Sequence, residues 1–185
     1  MALAVSGENG FKVAKHLGLH STPCIEFEEA ASGDWKRGGV LTFSSGLVTE
    51  PVYNANPTLI VGIAENDATG TTNANCRVIP AIPGTLIFSG HISDDITGNY
   101  TTVEANVGAC YAILQDDTNK GWYIDASTDP AAIANARVRV VGFQDPVGTS
   151  NGRVYFTFLG VTYDTDGGAN SVQVVSVWAG HEAAS

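Results

Sequence analysis

The sequence predicts an all-β protein, an antiparallel β-sandwich or barrel with very little helix. Three observations predict it. Short runs rich in β-branched and aromatic residues recur, such as Leu59-Ile60-Val61-Gly62-Ile63-Ala64 and Arg153-Val154-Tyr155-Phe156-Thr157-Phe158-Leu159, and these side chains suit a pleated, half-buried surface. Clusters of Gly, Asn, Asp, Thr and Pro separate them at spacings of roughly 8–12 residues, the rhythm of a sandwich or barrel. The long helices that must connect parallel strands in βαβ units are missing from the pattern.

Taken in order, residues 1–21 mix Gly, Lys and His without a period and read as an N-terminal arm. Val13 to Leu19 has room for one helical turn before Gly18 and Ser21-Thr22-Pro23 stop it. Cys24 to Glu28 alternates apolar and charged residues, as a half-buried strand does. Val40 to Phe43 and Leu47 to Thr49 flank Ser44-Ser45-Gly46, which predicts a hairpin. Leu59 to Ala64 is continuously apolar, the mark of a strand buried on both faces. Glu65 to Asn75 reads as a polar surface loop, and Cys76–Ile79 and Thr85–Phe88 as strands split by Pro80 to Gly84. The polar stretch 93–106 is the natural boundary between two β lobes, a barrel-like first lobe at 22–95 and a second at 96–185. In the second lobe, Ala109 to Leu114 and Gly121 to Asp125 form a hairpin around the 116–119 turn. Asp129 to Ala134 is the one short helix, with Asp129 as cap and Pro130 in the first turn. The clean alternation of Ala136 to Val141, then Arg153 to Val161 and Ser171 to Trp178, complete about eleven strands. Gly39 to Ser44 echoes Gly84 to Ser89, which suggests two similar strands in one barrel or sandwich rather than a solenoid.

The 185 residues are 44% hydrophobic, enough for a substantial core, but only 15% charged, with 21 glycines and a net charge of −10. A surface this poor in charge is one that assembly would cover. An acidic surface disfavours nucleic acid and anionic membranes as partners. Three distant cysteines, Cys24, Cys76 and Cys110, cannot all pair within the chain. They read as free thiols acting as small hydrophobes, and so as synthesis in a reducing cytoplasm. The start has no basic region before its short apolar run, so no signal peptide is expected.

Motifs for chemistry are sparse. His16 and His20 have the i, i+4 spacing of a helical metal pair but lack an intervening Glu and a third ligand. Asp164 to Asn170 has the Asp and Gly of a calcium loop without its terminal Glu, and a turn is the better reading. Asp94-Asp95 and Asp116-Asp117 are carboxylate pairs of the kind glycosidases use, set in turns where solvated carboxylates are the rule. No nucleophile elbow, Cys-x-x-Cys or phosphate loop occurs. The sequence therefore predicts no catalytic residue, no cofactor and no metal. Trp122 and Trp178 lie in strand patterns and belong in a core. Trp35 stands beside Lys36 and Arg37 in a loop, and Trp35-Lys36-Arg37 is the densest basic spot of the chain. These three are the candidate partner contact.

The stretches Gly38-Gly39-Val40-Leu41-Thr42-Phe43, Ile60-Val61-Gly62-Ile63-Ala64-Glu65-Asn66-Asp67-Ala68 and Arg77-Val78-Ile79-Pro80 resemble capsid decoration (cement) proteins of tailed bacteriophages. The resemblance is strongest over residues 33–90. Gly121 to Asp125 and Val138 to Gly142 also suit small phage head proteins. The resemblance implies a non-enzymatic virion protein, made in the host cytoplasm, that binds the outside of an icosahedral head. It implies the major capsid protein as partner, a position at local three-fold or two-fold axes, and a homotrimer. Many weak copies bridging capsomers would stabilise the shell through multivalency. The alternative is a carbohydrate-binding or adhesin-like β-sandwich that stacks sugar on exposed aromatics, Trp35 and Tyr53. A hydrolase built on the Asp pairs is a third reading.

Overall fold

The computed structural model describes residues 10–17, 21–51, 59–94, 100–116, 121–127, 136–164 and 172–175. These form thirteen strands and a single 3₁₀ turn, Glu104–Asn106, with no α-helix among the described residues. The all-β expectation holds. The short helix expected over Asp129 to Ala134 lies outside the described residues.

The strands are β1 (Lys12–His16), β2 (Ile25–Glu28), β3 (Val40–Ser44), β4 (Leu47–Thr49), β5 (Ile60–Ala64), β6 (Asn75–Pro80) and β7 (Leu86–Ser93). They continue with β8 (Cys110–Gln115), β9 (Trp122–Asp125), β10 (Val138–Phe143), β11 (Arg153–Phe158), β12 (Val161–Asp164) and β13 (Val172–Val175). β2 to β6 form a five-stranded sheet in the order β2-β6-β5-β3-β4, and a parallel bridge between Glu29 and Val48 brings its two ends together. β7 to β11 run in the order β7-β11-β10-β8-β9, and a parallel pairing of β7 with β9 closes them into a barrel. Numbered within each unit, both orders are 1-5-4-2-3, with the first and third strands meeting in parallel. One topology has been used twice. All other strand pairs are antiparallel.

The hairpin at Ser44-Ser45-Gly46 forms as predicted, joining β3 and β4. Ser45 and Gly46 both have positive φ, 53° and 81°, the conformation whose twist matches a two-residue hairpin. The β8–β9 hairpin also forms. β5 is buried at every position. Val61 and Ala64 face the interior of the first unit with Leu41, Val48 and Val78. Ile60 and Ile63 face the other way, into a cluster shared with Phe88, Phe156 and Phe158 of the second unit. The strand is apolar throughout because one face lines a barrel and the other is the seam between barrels. Gly62 lets β6 approach, since a Cβ there would come within 2.1 Å of Ile79 O.

Three organisational expectations are corrected. The arm at 1–21 is not an arm over its described part: Lys12–His16 is β1, paired with Leu86 to Ser89 of β7, and Phe11 is fully buried. Among the described residues 13–17 no helical turn forms, because β7 offers an open edge along its first half, before β9 takes it over. The boundary between units is not at 95/96 but between β6 and β7, since β7 pairs with β9 and β11. Whether the halves form separate lobes or one body, a point the sequence leaves open, is answered by the single hydrophobic cluster that joins Val40, Ile63 and Ile79 to the second barrel. Finally, the echo of Gly39 to Ser44 in Gly84 to Ser89 pairs β3 with β7, which occupy different places in their units. The two similar strands therefore belong to different units rather than to one barrel or sandwich.

Candidate functional site

A groove of about 790 Å³ opens where β1 crosses the first barrel. One wall is the backbone of Gly10 to Val13, and the other is the turn at Lys36-Arg37-Gly38. Ile63 and Ile79 form its apolar floor, and Lys12, Lys36, Arg37, Glu65 and Asp67 supply its charges. The walls are tied together: Phe11 N–H donates to Gly38 O at 2.9 Å, and Gly38 N–H donates to Ala64 O at 2.8 Å. Gly38 has φ +86°, and a Cβ on it would meet Phe11 O at 2.7 Å. Only glycine satisfies both the left-handed backbone and this close approach.

Both carboxylates of the groove are already engaged. Asp67 accepts a hydrogen bond from Arg37 N–H at 2.8 Å and pairs with Lys36 Nζ at 3.4 Å. The Arg37 N–H, with help from the Lys36 ammonium, holds the Asp67 carboxyl below its ordinary range, against slight burial. Glu65 pairs with Arg77 at 3.1 Å and accepts from Cys24 Sγ at 3.1 Å. Burial, then the bond to Glu65, push the Cys24 thiol above its usual value. The Arg37 side chain is exposed, and its backbone is fixed by Asp67. The groove therefore carries Lys12, Lys36 and Arg37 beside two engaged carboxylates, with Ile63 and Ile79 almost wholly buried beneath them.

The 65–74 loop that supplies Asp67 is clamped from beneath. Glu29 is completely buried. Its carboxylate accepts from Thr69 N–H at 3.0 Å, Thr69 Oγ1 at 3.1 Å and Gly70 N–H at 2.5 Å. A buried carboxylate needs such donors to offset its desolvation. The loop is thus built into the barrel rather than draped over it.

Of the predicted contact Trp35-Lys36-Arg37, the structure keeps Lys36 and Arg37 on the surface and removes Trp35. Trp35 has no exposed area. Its indole fills the first barrel among Leu41, Val48, Val61, Cys76 and Val78, and Gly33 leaves room for it. A small barrel lined by short aliphatics needs one large plug, and the turn at Arg37-Gly38 separates that plug from its charged neighbours. Trp122 is buried, as expected, with its ring 6.4 Å from that of Phe11. Trp178 and Tyr53 lie outside the described residues.

The other candidates do not assemble into a reactive site. His16 lies on a strand, where i, i+4 residues do not stack as they do on a helix, and its Nε2 is 2.9 Å from Thr22 Oγ1. His20, Asp95 and Asp117 lie outside the described residues. Asp116 is buried rather than solvated, and its N–H donates to Gly121 O at 2.8 Å. Of the Asp164 to Asn170 stretch, residues 165–170 lie outside the described residues. No group of three or more potential metal ligands occurs among the described residues, and no helix there is long and apolar enough to cross a membrane. All three cysteines are free.

Sequence reasoning missed Lys12, because the segment bearing it was read as an arm, and Asp67 and Glu65, because their loop was read as free surface. Only the pairing of residues some thirty apart brings these groups to one groove, and no local signal encodes it. No protein-family model matches the chain, and neither a curated protein nor a solved structure is significantly similar to it.

Proposed function

We propose that this chain is a structural, non-enzymatic decoration protein that binds the outer surface of a tailed-phage capsid and bridges neighbouring major capsid proteins, as a homotrimer. One observation supports the reading above the others: an acidic chain gathers three of its nine cations, Lys12, Lys36 and Arg37, around one recessed groove. A cationic spot on an otherwise acidic body favours a fixed orientation on a partner. The interlocked barrels suit a part that must resist deformation in the shell. The sequence resemblance supplies the identity of that shell.

The test is copy number in purified particles from the source of the chain, by gel and mass spectrometry. Hundreds of copies in fixed ratio to the major shell protein are expected. Absence from particles, with the protein free in the lysate, overturns the reading. The sugar-binding alternative loses one of the two aromatics named for it, because a buried Trp35 offers no face to a sugar ring.

A further inference from the structure

We propose that one end of the second barrel, where two loops carry Val103, Val107, Val141 and Val147, is the face on which copies of this chain meet in a ring of three. The inference deepens the homotrimer part of the decoration reading and rests on that reading for the number of copies.

Polarity is inverted at this end, where β7 and β10 finish and β8 and β11 begin. Thr102 and Asn106 are 1% exposed, while their neighbours Val103 and Val107 are 45% exposed. The hydrophobic effect by itself would arrange a loop the other way round. Here the buried polar groups are spent on bracing. Asn106 Oδ1 accepts from Val103 N–H at 2.7 Å, and Asn106 Nδ2 donates to Tyr100 OH at 2.6 Å and Tyr111 OH at 2.8 Å. Thr102 N–H donates to Thr149 O at 3.2 Å, and Thr102 O accepts from Gly148 N–H at 2.9 Å. The polar side chains inside thus hold the aliphatic ones outside.

The valines form one group rather than scattered exposures. Thr101 bridges Ser150, so Val103 and Val147 adjoin one crossing of the two segments. Gly108 N–H donates to Val140 O at 2.8 Å, so Val107 and Val141 adjoin the other. These four are the majority of the seven exposed large hydrophobics among the described residues. Single exposed apolar side chains are ordinary, but a cluster on a braced platform marks a contact surface.

Charge selects a second copy as the occupant. A chain of net charge −10 repels its own copies. Residues 101–115 and 138–158 nevertheless carry two acids, Glu104 and Asp145, and two bases, Arg139 and Arg153, and so are neutral. Glu104 lies on the first loop, and both arginines lie on the strands that the second loop joins. A rotation that sets one copy's first loop against the next copy's second loop brings opposite charges together around the valines. Such a head-to-tail contact closes into a ring.

The test is sedimentation velocity on the full chain. The wild type should sediment as a trimer, and more firmly as salt screens the net charge. Val107→Glu and Val147→Lys should each weaken association at least tenfold, whichever sign is introduced, with an unchanged circular dichroism spectrum because neither side chain braces the loops. Glu104→Arg should weaken it too. Ile25→Glu, at an exposed position of β2 in the first barrel, should change it less than twofold. A soluble paramagnetic probe should broaden the methyls of Ile25 and spare those of the four valines. A monomeric or dimeric wild type, a trimer that survives both valine substitutions, or an equal loss with Ile25→Glu would overturn the proposal. A monomer that occupies particles, and fails to do so as Val107→Glu, would assign the face to the shell protein and overturn it as well. A trimer that Val107→Glu dissociates, from a chain absent from particles, would keep this contact and sink the decoration reading.

Discussion

Phe11 holds the two barrels from both ends of one residue. Its N–H bonds to Gly38 of the first unit, while its ring packs edge-on against Phe156 of the second, centroid to centroid 4.7 Å. Phe11→Ala should therefore destabilise by about 3–5 kcal/mol, the range for a buried aromatic. At this chain length that lowers Tm by roughly 6–20 °C, which a thermal melt followed by circular dichroism would check. A loss of only a degree or two would mean the seam does not depend on this ring. Cys76 provides a second measurement. Burial, with the nearby Glu29 charge adding to it, pushes its thiol up to about 12, whereas Cys24 and Cys110 are partly exposed. A thiol reagent at mild pH should label Cys110 first, Cys24 more slowly because its thiol is pushed up, and Cys76 only after denaturation. Neither Phe11 nor Trp35 could be placed by local pattern. Each is a single aromatic among Gly and charged neighbours, and its burial depends on a cavity made by residues remote in sequence.

Among the elements, those with local signals were legible. The two hairpins, β5 and the alternating β10 follow from turn chemistry and periodicity. β1 was not, because its pattern is that of an edge strand with mostly exposed side chains, and it owes its existence to pairing with β7. Deleting residues 1–17 should consequently cost stability as well as any partner binding, through loss of β1 and Phe11 together. A truncated chain with an unchanged Tm would restore the arm. Elements also set the acid limit. In the β10–β11 connection, burial pushes the Asp145 carboxyl up, but the N–H and guanidinium of Arg153 outweigh it and hold it below its ordinary 3.8. A depressed folded pKa gives stability that is complete above the ordinary value and fades as pH falls below it. Asp67 acts in the same direction, weakened by its exposure. Unfolding free energy should thus decline below about pH 4, and Asp145→Asn should make that decline shallower in urea titrations. An unchanged slope would exclude Asp145 from the acid limb.

For the whole molecule, the all-β class was legible and the arrangement was not. Composition and turn spacing specify strands, but which strands meet is decided by pairing and by the seam, neither of which leaves a local trace. The seam has a thermodynamic consequence. Val40, Ile60, Ile63 and Ile79 belong to the first barrel by backbone and to the cluster of the second by side chain, so opening one barrel exposes apolar surface of the other. Unfolding should occur in one transition, with calorimetric and van't Hoff enthalpies in agreement. Two resolved transitions would mean that the units fold independently. The candidate groove follows the same logic. Lys36 and Arg37 were visible as a basic spot, but its lining comes from five stretches of chain.

The 1-5-4-2-3 order places the first and last strands of each unit side by side, so each barrel receives and releases the chain at neighbouring points. β6 ends at Pro80 and β7 begins at Leu86, which leaves residues 81–85 as the whole junction. The junction is itself part of the seam, since Ala81 and Pro83 are buried there and Ala81 N–H donates to Val61 O. The two units therefore repeat one topology while sharing one wall, and the short buried junction holds them in place against each other.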